Sequence, residues 1–311
     1  MYRPYWGLCS RPFENTLDSA FYYPSQSHQS TLLRLRYALD DRCSNAALIG
    51  LGGIGKTLML HNLKNMESVR TKMGPFVHAV FPQLDPNEML AFCCFGLCAE
   101  IESKIEIQNS NSICETIPQF ITAAPTNENA NERFDKNVYS SDWTGVNLAR
   151  LVRETERLLV ENAKHGKRAV LVIDEADMIE DSRVFRVFKS LLGIEYAGKP
   201  CLSFLFMGEG SLLASLSAVP TLDQRIEVKC VLEPFLEQET SLYINHRLKA
   251  AGCRREVFGL KTTSLIHELT RGIPRQINRL CDLALLVGFV EKTNSIHLET
   301  IEALYDELLS I

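Results

Sequence analysis

The 311-residue sequence lacks any run of about 18 consecutive apolar residues, the length that a membrane-spanning helix requires. Its first residues contain no apolar signal-peptide core, so we expect neither export nor a membrane anchor. It also lacks an excess of positive charge, because 33 Lys and Arg stand against 38 Asp and Glu, for a net charge of −5. This balance excludes a basic nucleic-acid coat protein, while a local basic face is still compatible with it.

No two of the ten cysteines stand in C-x-x-C spacing, which argues against paired-thiol metal and redox motifs. The one cluster, Cys93, Cys94 and Cys98, lies in an apolar helical run, and we interpret its thiols as small buried hydrophobic groups. Scattered single cysteines without an export signal are typical of a reducing compartment. We therefore expect a cytoplasmic protein.

Hydrophobic periodicity divides the sequence into three parts. Residues 1–45 form an aromatic-rich linker followed by a helix over 27–39. Residues 46–232 alternate strands with helices, which predicts a doubly wound α/β domain with a parallel sheet. Only helical periodicity follows, so we predict a small all-helical domain over 233–311. A polar, Asn-rich stretch over 107–138 interrupts the central domain and predicts an insertion or a mobile loop.

The predicted strands are short apolar runs, at 46–50, 76–81, 168–174, 201–207 and 226–231. The third is the strongest, because its continuous Val, Leu and Ile indicate burial on both faces, as in a parallel sheet. The predicted helices cover 56–64, 86–103, 146–164, 238–251, 263–270, 274–290 and 298–309.

Residues 50–57, Gly-Leu-Gly-Gly-Ile-Gly-Lys-Thr, match G-x-x-x-x-G-K-[ST] at every defined position, between a predicted strand and a predicted helix. Small residues let backbone amides surround phosphate oxygens, and the helix that follows presents unpaired N–H groups and a positive dipole end. Lys56 can reach the β- and γ-phosphates, and the Thr57 hydroxyl can ligate Mg²⁺. The expected nucleotide-binding residues are Gly50, Leu51, Gly52, Gly53, Ile54, Gly55, Lys56, Thr57 and Leu58.

Two carboxylates, Asp174 and Glu175, end the strand over 168–174. A parallel strand delivers such side chains to its carboxyl edge, where ligands bind in open α/β sheets. We expect Asp174 to hold Mg²⁺ through water and Glu175 to act as general base on the attacking water. Asp177 belongs either to this site or to a helix cap.

With these motifs the chain resembles the AAA+ ATPases, and more narrowly the ExeA/GspA-like group. The segments similar to that group are Tyr-Trp-Gly-Leu at 5–8, Arg-Pro-Phe at 11–13, Phe-Tyr-Tyr-Pro-Ser at 21–25, Tyr-Ile-Asn-His-Arg-Leu at 243–248 and Gly-Ile-Pro-Arg at 272–275. The resemblance implies a five-stranded parallel αβα sheet of the P-loop NTPase type, followed by a helical lid, with ATP bound between them.

The resemblance also implies roles for single residues. Arg275 falls at the lid's sensor-2 position, and Arg225 falls at the arginine-finger position, which acts on a neighbouring subunit and so implies a homo-oligomer. Glu209 stands where the group carries a polar sensor-1 residue, and an acidic group would repel the γ-phosphate unless protonated or bound to metal. This departure puts the hydrolysis rate in question, not nucleotide binding. His28 either packs on adenine or serves as an ordinary helix-start residue.

The biological role has several interpretations. The group's secretion or envelope-assembly ATPases often carry a membrane segment and a periplasmic domain, which we do not expect here; a peripheral place at the inner membrane through a protein partner is the alternative. MuB/TniB-like transposition regulators share the fold, and basic residues of the lid could contact duplex DNA: Arg247, Lys249, Arg254, Arg255, Arg271, Arg275 and Arg279. A non-hydrolysing nucleotide-bound scaffold is a third interpretation. The phosphate loop also resembles that of STAND signalling ATPases. Those typically carry two aspartates after the strand at which this chain has Asp174 and Glu175.

Overall fold

The computed structural model describes residues 1–41, 44–80, 83–108 and 148–309. Its strands are β1 (Asn45–Ile49), β2 (Met73–Ala79), β3 (Arg168–Ile173), β4 (Glu195–Tyr196), β5 (Lys199–Pro200), β6 (Leu202–Gly208) and β7 (Ile226–Val231). Its α-helices are α1 (Arg3–Trp6), α2 (Gln26–Arg36), α3 (Lys56–Asn65), α4 (Glu67–Lys72), α5 (Pro86–Gln108), α6 (Leu148–Lys164), α7 (Ser182–Leu191), α8 (Ser211–Ser217), α9 (Pro220–Asp223), α10 (Glu237–Ala250), α11 (Leu260–Thr270), α12 (Pro274–Val290) and α13 (Leu298–Leu309).

Five strands form a parallel sheet in the order β2-β3-β6-β1-β7, and β4 pairs with β5 in a separate antiparallel hairpin. Every residue of β1, β3 and β6 is buried, as expected of parallel strands with helices on both faces. The predicted five-stranded parallel α/β sheet, followed by a helical part, is confirmed. Because β6 lies between β3 and β1, the carboxyl ends of these three strands meet at one edge.

Alternate residues of the buried strands supply the two faces of the sheet. On one face, Leu171 and Phe204 pack with Phe188 of α7. On the other face, Val172 packs in a cluster with Met59 of α3. A fully buried side chain of this size contributes about 1.5–3 kcal/mol relative to an exposed one. Both faces therefore hold the sheet and the loops at its carboxyl edge in place.

Several boundaries differ from the sequence predictions. Helix α5 extends to Gln108 and α11 already begins at Leu260. Helices α4, α7, α8 and α9 were not predicted, although the buried residues of α7 recur at helical spacing: Val184, Phe185, Phe188 and Leu191. From residue 109 onward, the predicted polar insertion lies outside the described residues. The predicted cluster of buried thiols is confirmed, since Cys93, Cys94 and Cys98 are all buried.

The first 24 residues, here called the strap, pack into the core of the helical lid. Trp6 and Phe13 are buried in the same apolar cluster as Ile277 of α12 and Phe258. The Trp6 indole Nε1 donates to the Leu285 carbonyl at 2.8 Å. The predicted division treated 1–45 as a linker and helix, whereas the packing joins the strap to the lid because its aromatic side chains complete the lid's core.

Arg247 of α10 anchors the strap. It is 3% exposed, its Nε donates to the Pro12 carbonyl at 2.5 Å, and a terminal nitrogen donates to the Glu14 carbonyl. Its guanidinium also lies 4.8 Å from the centroid of the Phe21 ring. Arg255 is similarly engaged, with its guanidinium 4.7 Å from the centroid of a ring of the strap. Two members of the basic group predicted for the lid are thus bound to the strap.

Within the described ranges, no helix combines the length and the apolar character that crossing a bilayer requires.

Candidate functional site

The loop Gly50 to Gly55 connects β1 to α3 at the carboxyl edge of the sheet. The Gly50 amide donates to the Gly208 carbonyl at 3.1 Å, which extends the β1–β6 pairing into the loop. Ile54 is fully buried and anchors the loop in the core beneath α3. Gly53 and Gly55 have φ values of 76° and 108°, a region that glycine adopts readily and other residues rarely. The first amides of α3 have no partner within the helix and are available to an anion.

Lys56, the first residue of α3, folds back over the loop. Its Nζ donates to the carbonyls of Gly50 at 2.7 Å and Leu51 at 3.2 Å. Burial lowers the pKa of Lys56, and nearby carboxylates act in the opposite direction. These carboxylates belong to Glu209, Asp174, Asp177 and Glu175.

The crevice around Lys56 is acidic, with four carboxylates acting on one ammonium. These carboxylates repel the negative charge of a polyphosphate, and a divalent cation bound between them would reduce that repulsion. Carboxylate and hydroxyl oxygens are the ligands that Mg²⁺ prefers. Asp174 and Thr57 therefore fit the predicted metal role chemically.

Asp174 is held in place by its neighbours at the end of β3. Its amide donates to the Ala79 carbonyl at 2.8 Å, and its Oδ1 accepts from the Glu175 amide at 3.0 Å. Its Oδ2 lies 3.3 Å from Nε2 of His78 on the adjacent strand β2. The carboxylate is thus oriented from two sides before any metal binds.

Glu175 lies in a strained turn. Its φ is 51°, in the left-handed region that few residues other than glycine adopt. Its carbonyl accepts from the Met178 amide at 2.8 Å, which closes the turn. Its side chain is exposed. Strain of this kind is concentrated at functional sites, and here it leaves the carboxylate accessible to water beside Asp174.

Asp177 connects the loop after β3 to the loop after β6. Its Oδ1 accepts from the Glu209 amide at 3.0 Å and its Oδ2 from the Ser211 hydroxyl at 3.2 Å. Asp177 therefore ties the loop after β3 to the residues around the start of α8, and not to its own turn. A Cβ atom built on Gly52 would lie 3.1 Å from Oε1 of Glu209. The Glu209 carboxylate consequently lies directly against the phosphate loop.

Arg275 brings the lid to the same loop. Its amide donates to the Gly53 carbonyl at 3.2 Å, and a Cβ built on Gly53 would lie 2.6 Å from the Arg275 Cβ. The side chain of Arg275 is exposed. The first turn of α12 thus rests on the phosphate loop, at the position where the sequence predicted an arginine from the lid.

Arg225 and His28 lie apart from this crevice. Arg225 is exposed before the amino end of β7, where Ile226 pairs with Asn45. The phosphate loop follows the other end of β1, about 16 Å away along the strand, so Arg225 could act only on another subunit. His28 is 4% exposed behind the loop, so contact with adenine would require its ring to be uncovered. Both roles stay predictions.

Sequence reasoning missed the contact between His78 and Asp174. The sequence did contain a signal for it, because His78 is a polar residue near the end of an apolar strand. The carboxyl ends of parallel strands lie at the same edge of a sheet, so this signal could have identified His78 and Asp174 as neighbours. It also left Asp177 open, because its partners Glu209 and Ser211 lie more than thirty positions away.

Residues 39–216 match the protein family described as AAA domain. The chain is 27% identical over 298 residues to General secretion pathway protein A of Aeromonas hydrophila, covering 95% of this chain and 46% of that protein. It therefore spans about half the length of this curated relative.

Solved structures share the fold at low sequence identity. The ORC2 protein of Aeropyrum pernix, in ADPNP–ADP complexes, superposes with a TM-score of 0.61 at 13% identity, covering 96% of this chain and 71% of that one. Cdc6p of Pyrobaculum aerophilum gives 0.59 at 16% identity, covering 90% and 68%. The RuvB Holliday junction branch migration motor of Thermotoga maritima gives 0.52 at 16% identity, covering 92% and 69%.

Proposed function

The chain belongs to the AAA domain family, and on this premise we propose that it binds ATP with Mg²⁺ and hydrolyses it to ADP and phosphate. The observation that carries the proposal is the position of Lys56. Its ammonium lies on the glycine loop, within the influence of Asp174 and Glu175. The ADPNP–ADP complexes of the ORC2 relative support the choice of an adenine nucleotide.

The roles of the binding residues follow from their positions. The amides of the loop and of the first turn of α3 hold the phosphates, and Lys56 exchanges its carbonyl contacts for β- and γ-phosphate oxygens. Thr57 and, through water, Asp174 would hold Mg²⁺, and the ion would reduce the charge on the phosphates. His78 keeps the Asp174 carboxylate oriented.

Glu175 is proposed as the general base of hydrolysis. The oxygen of a water molecule bonds to the γ-phosphorus while one of its protons passes to the Glu175 carboxylate. The bond between the γ-phosphorus and the bridging oxygen breaks, and its electron pair stays on ADP. Arg275 stabilises charge on the γ-phosphate from the lid, and Arg225 of another copy does so across a subunit interface. The negative charge of Glu209 makes the electrostatic potential at the γ-phosphate less positive.

Replacing the base tests this proposal. Glu175→Gln should retain ATP binding and abolish phosphate release, because the amide cannot accept the proton. Glu180→Gln removes the same charge from an exposed position nearby and should leave turnover unchanged. Nucleotide binding and phosphate release are measured separately at several protein concentrations, since assembly is expected to matter. Wild-type protein that binds ATP without turnover would support the scaffold interpretation, and protein that ignores ATP would overturn the proposal.

The relationship to General secretion pathway protein A supports a role in secretion or envelope assembly. We propose that ATP drives assembly or conformational change of a partner complex, from the cytoplasm or from the inner membrane surface through that partner. Co-purification of envelope proteins with the ATP-trapped Glu175→Gln variant would support this role.

Transposition regulation on duplex DNA is the alternative. The surface available for DNA is smaller than the sequence indicated, because Arg247 is buried and Arg255 contacts the strap. ATP-dependent, salt-sensitive retention on duplex DNA, or turnover stimulated by DNA, would favour this alternative. Absence of retention on duplex DNA at low salt would remove it.

A further inference from the structure

The phosphate loop is contacted from two sides. On the lid side, the Arg275 amide donates to the Gly53 carbonyl. From α2, Nε2 of His28 approaches the loop, and a Cβ built on Gly55 would lie 3.3 Å from it. Both contacts reach the backbone that is expected to bind phosphate.

The His28 ring is fixed by its surroundings. Its Nδ1 lies 2.6 Å from the hydroxyl of Ser25, the residue that caps α2. Its centroid lies 5.4 Å from that of Phe235 and 6.2 Å from that of Tyr22. Because the ring is 4% exposed, it cannot turn away from the loop without displacing these neighbours.

Phe235 connects His28 to the lid. Its ring is 4% exposed and packs 4.9 Å from the ring of Tyr243 on α10. Its amide donates to the Gly272 carbonyl at 3.0 Å, three residues before Arg275. The contacts therefore form a closed circuit. The loop contacts His28, His28 contacts Phe235, and Phe235 contacts Gly272. Arg275 follows Gly272 in the chain and contacts the loop again.

The two chain segments that cross between sheet and lid are tied together at this point. The Ser27 hydroxyl accepts from the Glu233 amide at 3.1 Å. The Glu239 carboxylate accepts from the Gln26 amide at 3.0 Å and from the Leu236 amide at 3.0 Å. A displacement of the lid therefore moves the start of α2, which carries His28.

We propose that His28 is a positioning residue that couples the seating of the lid to the shape of the phosphate loop. It acts through Phe235, so that Gly53 and Gly55 are held together when the lid is docked. The inference rests on the proposed binding of ATP. It makes His28 and Phe235 parts of one unit, whose effects on ATP binding depend on each other.

Two conservative substitutions separate the contacts of the ring. His28→Asn keeps a polar group near Ser25 and loses the contact with the loop, whereas His28→Gln extends a polar group towards the loop. We expect His28→Asn to weaken ATP binding about tenfold and His28→Gln to restore most of the loss. Rescue by Gln distinguishes a contact with the loop from a role confined to the helix cap.

A double-mutant cycle tests the coupling. His28→Asn and Phe235→Leu should each weaken ATP binding about tenfold, and the double variant should also lose about tenfold, because either change opens the same circuit. A loss equal to the product of the single losses, about a hundredfold, would overturn the inference.

Hydrogen exchange without nucleotide provides a second test, because the contacts exist without ATP. His28→Asn should accelerate exchange over both 50–57 and 272–279. Acceleration confined to the start of α2 would overturn the coupling. Failure of wild-type protein to bind ATP would instead overturn the proposed function, and the exchange experiment would still test the circuit.

Discussion

The amide of Arg275 donates to the carbonyl of Gly53 at 3.2 Å, so that helix α12 of the lid rests on the phosphate loop. Gly53→Ala should disrupt this contact, because its Cβ would lie 2.6 Å from that of Arg275. Alanine is also strained at a φ of 76°. We expect ATP affinity to fall at least about tenfold, as measured by titration calorimetry.

Gly198→Ala is the matched control for this substitution. Gly198 has a φ of 73° in the β4–β5 turn, and among the described residues nothing lies within 4 Å of a Cβ built there. The Gly198→Ala substitution therefore introduces the same backbone strain without a steric contact. We expect it to lower the free energy of unfolding by about 1 kcal/mol. Equal ATP affinity of both variants would mean that the lid contact does not matter for binding.

Glu209 provides a test of the electrostatics in the crevice. Its carboxylate lies against Gly52 and acts on Lys56, so it opposes the approach of an anionic phosphate. Glu209→Gln should therefore raise ATP affinity about three- to tenfold, with the largest gain at low Mg²⁺. Nucleotide titrations at two Mg²⁺ concentrations measure this, with Glu180→Gln as the exposed control. Unchanged or weaker binding would show that Glu209 assists the nucleotide instead.

The parts of the site that the sequence predicted are those with local spacing. Residues 50–57 and the pair Asp174 and Glu175 each follow a buried strand, and parallel strands bring such ends to one edge. The contact of the Arg275 backbone with Gly53 depends on how the lid packs against the loop. No local periodicity of the sequence encodes that packing. The same holds for the hydrogen bond from Trp6 to Leu285, whose partners are separated by 279 positions.

Asp177 illustrates the same limit within the sheet edge. Its local sequence allowed a helix cap or a site role, and its carboxylate instead accepts from Glu209 and Ser211 after another strand. Asp177→Ala should destabilise the protein by about 0.5–1.5 kcal/mol, because the exposed Glu209 amide exchanges its carboxylate acceptor for water. It should also change turnover more than Asp181→Ala, which removes the exposed cap of α7. Thermal unfolding and phosphate release measure both effects, and equal turnover of the two variants would contradict the positioning of Glu209.

Arg247 should determine whether the strap stays on the lid. Arg247→Ala removes both hydrogen bonds to the strap and the contact with Phe21. We expect a loss of about 2–4 kcal/mol in the free energy of unfolding and earlier proteolysis near residue 14. Lys249→Ala, on the exposed face of the same helix, should change neither. A stable, protease-resistant Arg247→Ala variant would show that the aromatic side chains suffice to hold the strap.

His28 should make stability depend on pH. Burial lowers the pKa of His28 from 6.5 to about 4, although the hydrogen bond to the Ile54 backbone and the charge of Glu239 oppose the shift. The unfolded chain therefore binds a proton that the folded protein excludes between pH 6.5 and about 4. The contribution of neutral His28 is complete above pH 6.5 and is lost as the pH falls towards 4, a decrease of about 3 kcal/mol. Urea unfolding of wild-type protein and His28→Gln at several pH values measures this difference. The variant, which cannot titrate at this position, should show a flatter profile, and identical profiles would place the lost stability on other groups.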